Sequence, residues 1–119
     1  MVLATIFVHK LNTMKNEDKS PEENLDHLNV LRKIDKMPGS SQRKLASELG
    51  FSLGKINYCL KALHSKGLVK VDNFKKNKNK IGYIYILTPQ GLSYKTKLTI
   101  NFMKRKMREY DELRKELEK

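Results

Sequence analysis

The sequence predicts a mainly α-helical domain with one small β-hairpin and a long C-terminal helix. Two observations indicate this fold class. Three segments between residues 20 and 67 begin at a serine and carry apolar residues at helical spacing. After Gly67 the period changes, because residues 68–74 and 81–87 are rich in β-branched and aromatic side chains, as strands are. A chain of 119 residues has room for one core of this kind.

The first helix is expected to begin at Ser20. This serine is the N-cap, Pro21 takes the first helical position, and Glu23 completes a capping box. Pro38 and Gly39 end the helix. The residues expected to face the core are Leu25, Leu28, Leu31 or Val30, and Ile34.

Two further helices follow, joined by a short turn after Gly50. Ser40 or Ser41 caps the second helix, and Ser52 caps the third, which ends at Gly67. Two helices joined by a few residues around a glycine are typical of a helix-turn-helix. The residues expected in the core are Leu45, Ala46 and Leu49 of the second helix and Leu53, Ile56, Leu60 and Leu63 of the third.

The hairpin and the last helix complete the pattern. A lysine-asparagine segment, "FKKNKNK", separates the two predicted strands and is expected to form their loop. Thr88 and Pro89 then begin a helix that runs nearly to Lys119. The order predicts a winged helix-turn-helix domain over residues 20–88 and a coiled-coil-like dimerisation helix over 89–119. Residues 1–19 form an extension of unknown role.

The charge of the chain is concentrated in its middle. The formal net charge is +12, and residues 51–108 contain fourteen basic side chains but only one acidic side chain, Asp72. Such a stretch repels itself unless a polyanion neutralises it. Nucleic acid is the leading candidate and an anionic membrane the weaker one, while an ordinary basic surface is the remaining alternative.

The third helix presents a polar face opposite its apolar stripe. Cationic donors, a phenol and a small residue on this face suit a recognition helix in a major groove, whose N-terminal residues reach base edges. Asn57 lies nearer the core edge and is a weaker candidate for base contact. A merely solvated face is the alternative. The face comprises Ser52, Gly54, Lys55, Tyr58 and Lys61.

Two other segments are predicted to contact the DNA backbone. Ser41, Gln42 and Arg43 start the second helix, where free N–H groups and the helix dipole favour phosphate, although they could serve in capping alone. The predicted wing would add affinity and salt dependence more than sequence discrimination, because a lysine is a point charge. Its lysines are Lys75, Lys76, Lys78 and Lys80.

The last helix has an apolar stripe too long to be buried on so small a domain. A symmetric homodimer is the simplest way to cover it, and packing back onto the same chain is the alternative. Lys106 interrupts the stripe. The residues predicted to dimerise are Leu98, Phe102, Met103, Tyr110, Leu113 and Leu117.

The residue pattern gives no support to catalysis, a metal or a cofactor. It contains no paired carboxylates, no phosphate-binding glycine loop and no metal-ligand spacing, so we do not expect an enzyme. Cys59 is the only cysteine and is expected to be a packed small residue. No run approaches the roughly 20 apolar residues of a membrane span, and no signal peptide is evident, which predicts a cytoplasmic protein.

From Ser41 onward the chain resembles the MarR-type regulators, and within them the group called EPS-associated transcriptional regulators. The segments that carry the resemblance are "SQRKLASELGFSLGKINYCLKALHSKGLVK", "NFKKNKNKIGYIYILTPQG" and "FMKRKMREYDELRKELE". The resemblance implies a duplex-DNA-binding regulator of exopolysaccharide genes. It leaves open whether a small-molecule effector exists. A winged-helix interaction module for RNA or an acidic protein is the alternative function.

Overall fold

A computed structural model of the protein describes residues 20–77 and 80–118. The predicted N-terminal extension, residues 1–19, lies outside this part. The observed order of elements confirms the predicted fold class: a mainly helical domain, a two-stranded antiparallel wing and a long C-terminal helix. The elements are α1 (Pro21–Lys36), α2 (Gln42–Leu49), α3 (Leu53–Ser65), β1 (Val69–Asn77), β2 (Lys80–Leu87) and α4 (Pro89–Leu117).

Every described helix begins with the same local chemistry. A side-chain hydroxyl accepts a hydrogen bond from the backbone N–H three residues further along, which satisfies one of the open donors of the first turn. The distances are 3.2 Å at Ser20, 3.2 Å at Ser41, 3.1 Å at Ser52 and 3.0 Å at Thr88. The cap of α2 is therefore Ser41, and each such cap stabilises a helix by about 1 kcal/mol.

The core lies between α1, α2 and α3 and is closed by the start of β1. Its fully buried side chains are Val30, Leu31, Ile34, Leu45, Ile56, Leu60, Leu63 and Val69. Cys59 is buried among them, as predicted.

The prediction that all of these leucines lie in the core was wrong for two of them. Leu25 is 37% exposed and Leu53 is 47% exposed. Both lie near the N-terminal ends of their helices, Leu25 in the second turn of α1 and Leu53 at the first residue of α3. His27, by contrast, is buried within α1 and was not predicted to be.

The hairpin is longer than the sequence suggested. Its antiparallel register runs from Val69 opposite Leu87 to Asn77 opposite Lys80, with an irregularity between Lys75 and Asn77. The expected loop was therefore partly wrong, because most of the lysine-asparagine segment belongs to the two strands. Backbone pairing needs no apolar side chain, so the ladder continues through polar residues.

The base of the hairpin is tied to the helical core. Tyr85 N–H donates to the carbonyl of Ser40 at 3.1 Å, and Gly39 N–H donates to the carbonyl of Tyr85 at 3.1 Å. Ser40 is itself buried, and its hydroxyl donates to the carbonyl of Met37 at 2.6 Å. The segment between α1 and α2 thus forms an isolated antiparallel bridge to β2 at Ser40 and Tyr85.

The first turn of α4 is packed tightly against the start of β1. The Thr88 hydroxyl donates to the carbonyl of Gly67 at 2.6 Å, and Thr88 N–H donates to the carbonyl of Leu68 at 3.2 Å. Gly91 is buried, and a Cβ at this position would lie 1.9 Å from the Leu68 carbonyl oxygen. Further along, Lys95 forms an ion pair with Asp35 of α1 at 2.9 Å.

Candidate nucleic-acid interface

The exposed face of α3 contains the residues that the sequence singles out for base contact. Gly54, Lys55, Tyr58 and Lys61 are all exposed, and Tyr58 exposes 61% of its surface. Asn57 is half-buried, in agreement with its expected place near the core edge. The face therefore combines two ammonium groups, a phenol and a residue without a side chain. These are groups that can donate to base edges or phosphates and approach a groove closely.

Lys55 already has partners within the chain. Its Nζ lies 3.2 Å from Oδ2 of Asp26 on α1 and 4.2 Å from the ring centroid of Phe51. A carboxylate and an aromatic face thus hold the ammonium beside the turn between α2 and α3. The sequence could not indicate this pair, because Asp26 and Lys55 are 29 positions apart and meet only once α1 packs on α3.

The start of α2 performs a structural task as well as presenting polar groups. The Ser41 hydroxyl is the helix cap, and Gln42 Nε2 donates to the carbonyl of Leu53 at 3.4 Å, which links the two helices of the motif. Arg43 and Lys44 are exposed. Lys44 was not singled out from the sequence, although it lies beside Arg43 in the first turn.

The wing lysines are only partly within the described residues. The backbones of Lys75 and Lys76 belong to β1, and Lys80 begins β2. The side chains of these three residues, and the whole of Lys78, lie outside the described part of the chain.

At the base of the wing, burial and, to a smaller extent, the neighbouring Tyr83 raise the pKa of Tyr85 above 10.0.

The predicted dimerisation stripe on α4 divides into two parts. Leu98 packs against the core of its own chain, and Phe102 is half-buried with Lys106 Nζ 5.4 Å from its ring centroid. Beyond these residues the stripe is exposed on the single chain. Its exposed members are Met103, Tyr110, Leu113 and Leu117.

Residues 27–70 match a family model described as winged helix-turn-helix DNA-binding. The match runs from the second turn of α1 to the start of β1. No curated protein is similar enough in sequence to give a significant match.

Several solved structures share this fold. The transcriptional regulator PcaV from Streptomyces coelicolor, solved with its natural ligand, superposes with a TM-score of 0.62 at 19% identity, over 96% of this chain and 86% of PcaV. The repressor CouR, bound to a 23-mer DNA duplex, superposes with a TM-score of 0.61 at 24% identity, over 72% of this chain and 59% of CouR. MarR from Staphylococcus aureus, in complex with salicylate and kanamycin, superposes with a TM-score of 0.61 at 18% identity, over 92% of this chain and 71% of the MarR chain.

The chain therefore contains a winged helix-turn-helix domain, and its fold is that of the MarR-type regulators. PcaV is a transcriptional regulator and CouR is a transcriptional repressor. Among the helices described, none has the length and apolar character needed to cross a membrane. Across residues 20–77 and 80–118, no group of three or more His, Cys, Asp or Glu side chains is arranged to hold a metal ion.

Proposed function

We propose that the protein is a cytoplasmic, sequence-specific transcriptional regulator that binds duplex DNA. The observation that supports this function best is the exposed face of α3, which presents Lys55, Tyr58 and Lys61 on the second helix of a helix-turn-helix. In such motifs the second helix lies in the major groove, and its N-terminal residues contact base edges. The concentration of positive charge in residues 51–108 supplies the attraction to phosphate.

The proposal includes a role for the wing and for the start of α2. Lys75, Lys76, Lys78 and Lys80 would neutralise phosphates along the neighbouring backbone or minor groove. Ser41, Gln42 and Arg43 would lie against the backbone at the edge of the major groove. Both contributions are independent of base sequence, so site preference would come from α3.

The protein is proposed to act as a homodimer through α4, because the stripe from Met103 to Leu117 is exposed in the part of the chain that the structure describes. A two-fold dimer predicts two half-sites about one helical turn apart, or a multiple of that distance. The resemblance to the EPS-associated group suggests that the regulated genes direct exopolysaccharide synthesis.

The test is fluorescence anisotropy against duplex DNA from the promoter beside the protein's own gene, with a scrambled duplex of the same composition. Each duplex is titrated at two salt concentrations. We expect tight, salt-dependent binding to the promoter duplex and a large margin over the scrambled one. Equal binding to both would contradict a sequence-specific regulator, and a preference for single-stranded RNA would favour the interaction-module alternative.

The matched variants are Lys61→Glu and Lys115→Glu. Both residues are exposed and both substitutions change the net charge equally, but Lys61 lies on the proposed recognition face and Lys115 lies near the end of α4. Lys61→Glu should weaken promoter binding by at least tenfold at about 0.1 M salt, because it replaces a phosphate or base contact with repulsion. Lys115→Glu should change it by much less. Equal effects would show that net charge, and not the α3 face, determines binding.

A further inference from the structure

An acidic side chain lies within the proposed DNA-binding face. Asp26 belongs to α1, and its carboxylate is paired with Lys55 in the first turn of α3, at 3.2 Å. Residues 51–108, which include α3, contain only one acidic residue, Asp72. The carboxylate that meets the α3 face comes instead from α1. Lys61, in contrast, makes no ion pair within the described residues.

Both members of the ion pair are accessible to solvent. The side chain of Lys55 is 46% exposed and that of Asp26 is 26% exposed. An ion pair in such a position contributes little to stability. The Phe51 ring, 4.2 Å from the ammonium, gives it a second weak partner in the same place. The arrangement therefore fixes where the ammonium lies more than it stabilises the fold.

We propose that Asp26 is a specificity-determining residue that acts by positioning Lys55, an inference that rests on the proposed function. To contact a phosphate, Lys55 must leave Asp26, and this costs the ion pair between them. On a non-cognate sequence nothing offsets this penalty. On a cognate sequence the base-edge contact that α3 makes replaces the lost pair. A penalty that falls mainly on the wrong partner increases discrimination.

The experiment compares Asp26→Asn with Asp35→Asn. Asp35 lies on the same helix and is paired with Lys95 at 2.9 Å, so both variants remove one negative charge and one ion pair. Asp35 joins α1 to α4, however, and not to α3. The probes are a random-sequence 30-base-pair duplex and a duplex enriched by in vitro selection with the parent protein. Thermal unfolding of each variant verifies that it is folded.

We expect Asp26→Asn to bind the random duplex about eightfold more tightly at 0.1 M salt, with a slope of log K against log salt steeper by about 0.9, as one additional phosphate contact gives. Binding to the selected duplex should change much less, so the ratio of the two affinities falls. Asp35→Asn should show only a small rise with both duplexes and an unchanged slope.

Lys55→Met provides the second arm of the test. In this background Asp26→Asn should give no more than the small rise seen with Asp35→Asn, because no ammonium is released. Equal effects of the two aspartate variants, or a full effect of Asp26→Asn without Lys55, would overturn the role of Asp26 alone. Failure of the parent to bind any duplex would overturn the proposed function as well.

Discussion

Gly91 is the residue at which one added methyl group should disturb the fold most. A Cβ there would lie 1.9 Å from the carbonyl oxygen and 2.9 Å from the carbonyl carbon of Leu68, and backbone atoms cannot turn aside as a side chain can. We expect Gly91→Ala to lower the free energy of unfolding by about 1–3 kcal/mol or more, as overpacking does. Urea unfolding followed by circular dichroism measures this change.

Gly54 offers the matched control for Gly91→Ala. It also lies in the first turn of a helix, but nothing lies within 4 Å of a Cβ built on it. Gly54→Ala should leave stability unchanged or raise it by up to about 1 kcal/mol, because alanine loses less backbone entropy in a helix. If both variants were equally stable, α4 would not approach Leu68 as closely as described.

Single residues also show what the sequence can and cannot predict. The caps Ser20, Ser52 and Thr88 were predicted correctly, since a cap depends on residues three positions apart. Leu25 and Leu53 were predicted wrongly, because helical periodicity indicates which face is apolar but not where along the helix that face has a partner. The pair of Asp26 with Lys55 depends on how α1 packs on α3, which no local pattern contains.

At the scale of elements, the hairpin shows how a strand can extend beyond its apolar run. The sequence indicated strands where β-branched and aromatic residues dominate, and it interpreted the lysines as a loop. The observed strands continue to Asn77 and Lys80, so the wing is a longer ribbon than predicted. Composition marks the packed base of a hairpin well. It marks the tip poorly, because a ladder of backbone hydrogen bonds can continue through residues of any side-chain type.

The base of this ribbon predicts a dependence of stability on pH. Burial, with a smaller effect of Tyr83, raises the pKa of Tyr85 above 10.0 in the folded chain. As pH rises past about 10, the unfolded chain releases this proton first, so the free energy of unfolding falls. Below that pH the phenol is neutral in both states and adds no dependence.

Tyr85→Phe should therefore lose less stability than the parent between pH 8 and pH 10.5, measured by urea unfolding at both values. All other groups are common to both proteins and cancel in the comparison. Tyr58→Phe is the control, because Tyr58 is exposed and its removal should leave the loss the same as in the parent. An equal loss in all three proteins would show that Tyr85 does not cause the dependence.

At the scale of the whole molecule, the protein is elongated by α4. Its principal extents are 66, 33 and 22 Å, and its radius of gyration is 17.7 Å, against about 13 Å for a compact domain of this size. The long C-terminal helix was predicted from its cap and its stripe, and it ends at Leu117. The division of the stripe into Leu98, which packs on its own core, and an exposed remainder could not be read from spacing alone.

The exposed remainder leads to a prediction about assembly. Leu113 is 63% exposed on the single chain, so Leu113→Glu should leave the helical content unchanged while placing two carboxylates in the seam of a proposed dimer. Sedimentation velocity should show the parent as a dimer and this variant as a monomer. Lys115→Glu introduces the same side chain on the opposite face of the helix and should remain dimeric. A monomeric parent, or equal behaviour of the two variants, would contradict dimerisation through α4.

The contact between Gly91 and Leu68 also bears on how precisely the proposed dimer could fix the spacing of its two recognition helices along DNA. From Gly91 to Leu117 the helix is about 39 Å long at 1.5 Å per residue. A change of about 5° in the angle at which α4 leaves the hairpin would move its far end by roughly 3.4 Å, which is the rise of one base pair along a strand. The two recognition helices of a dimer would therefore remain in phase with the duplex only if this junction were rigid. At Gly91 the helix lies directly against the Leu68 backbone with no side chain between them, which is the kind of contact that such rigidity requires.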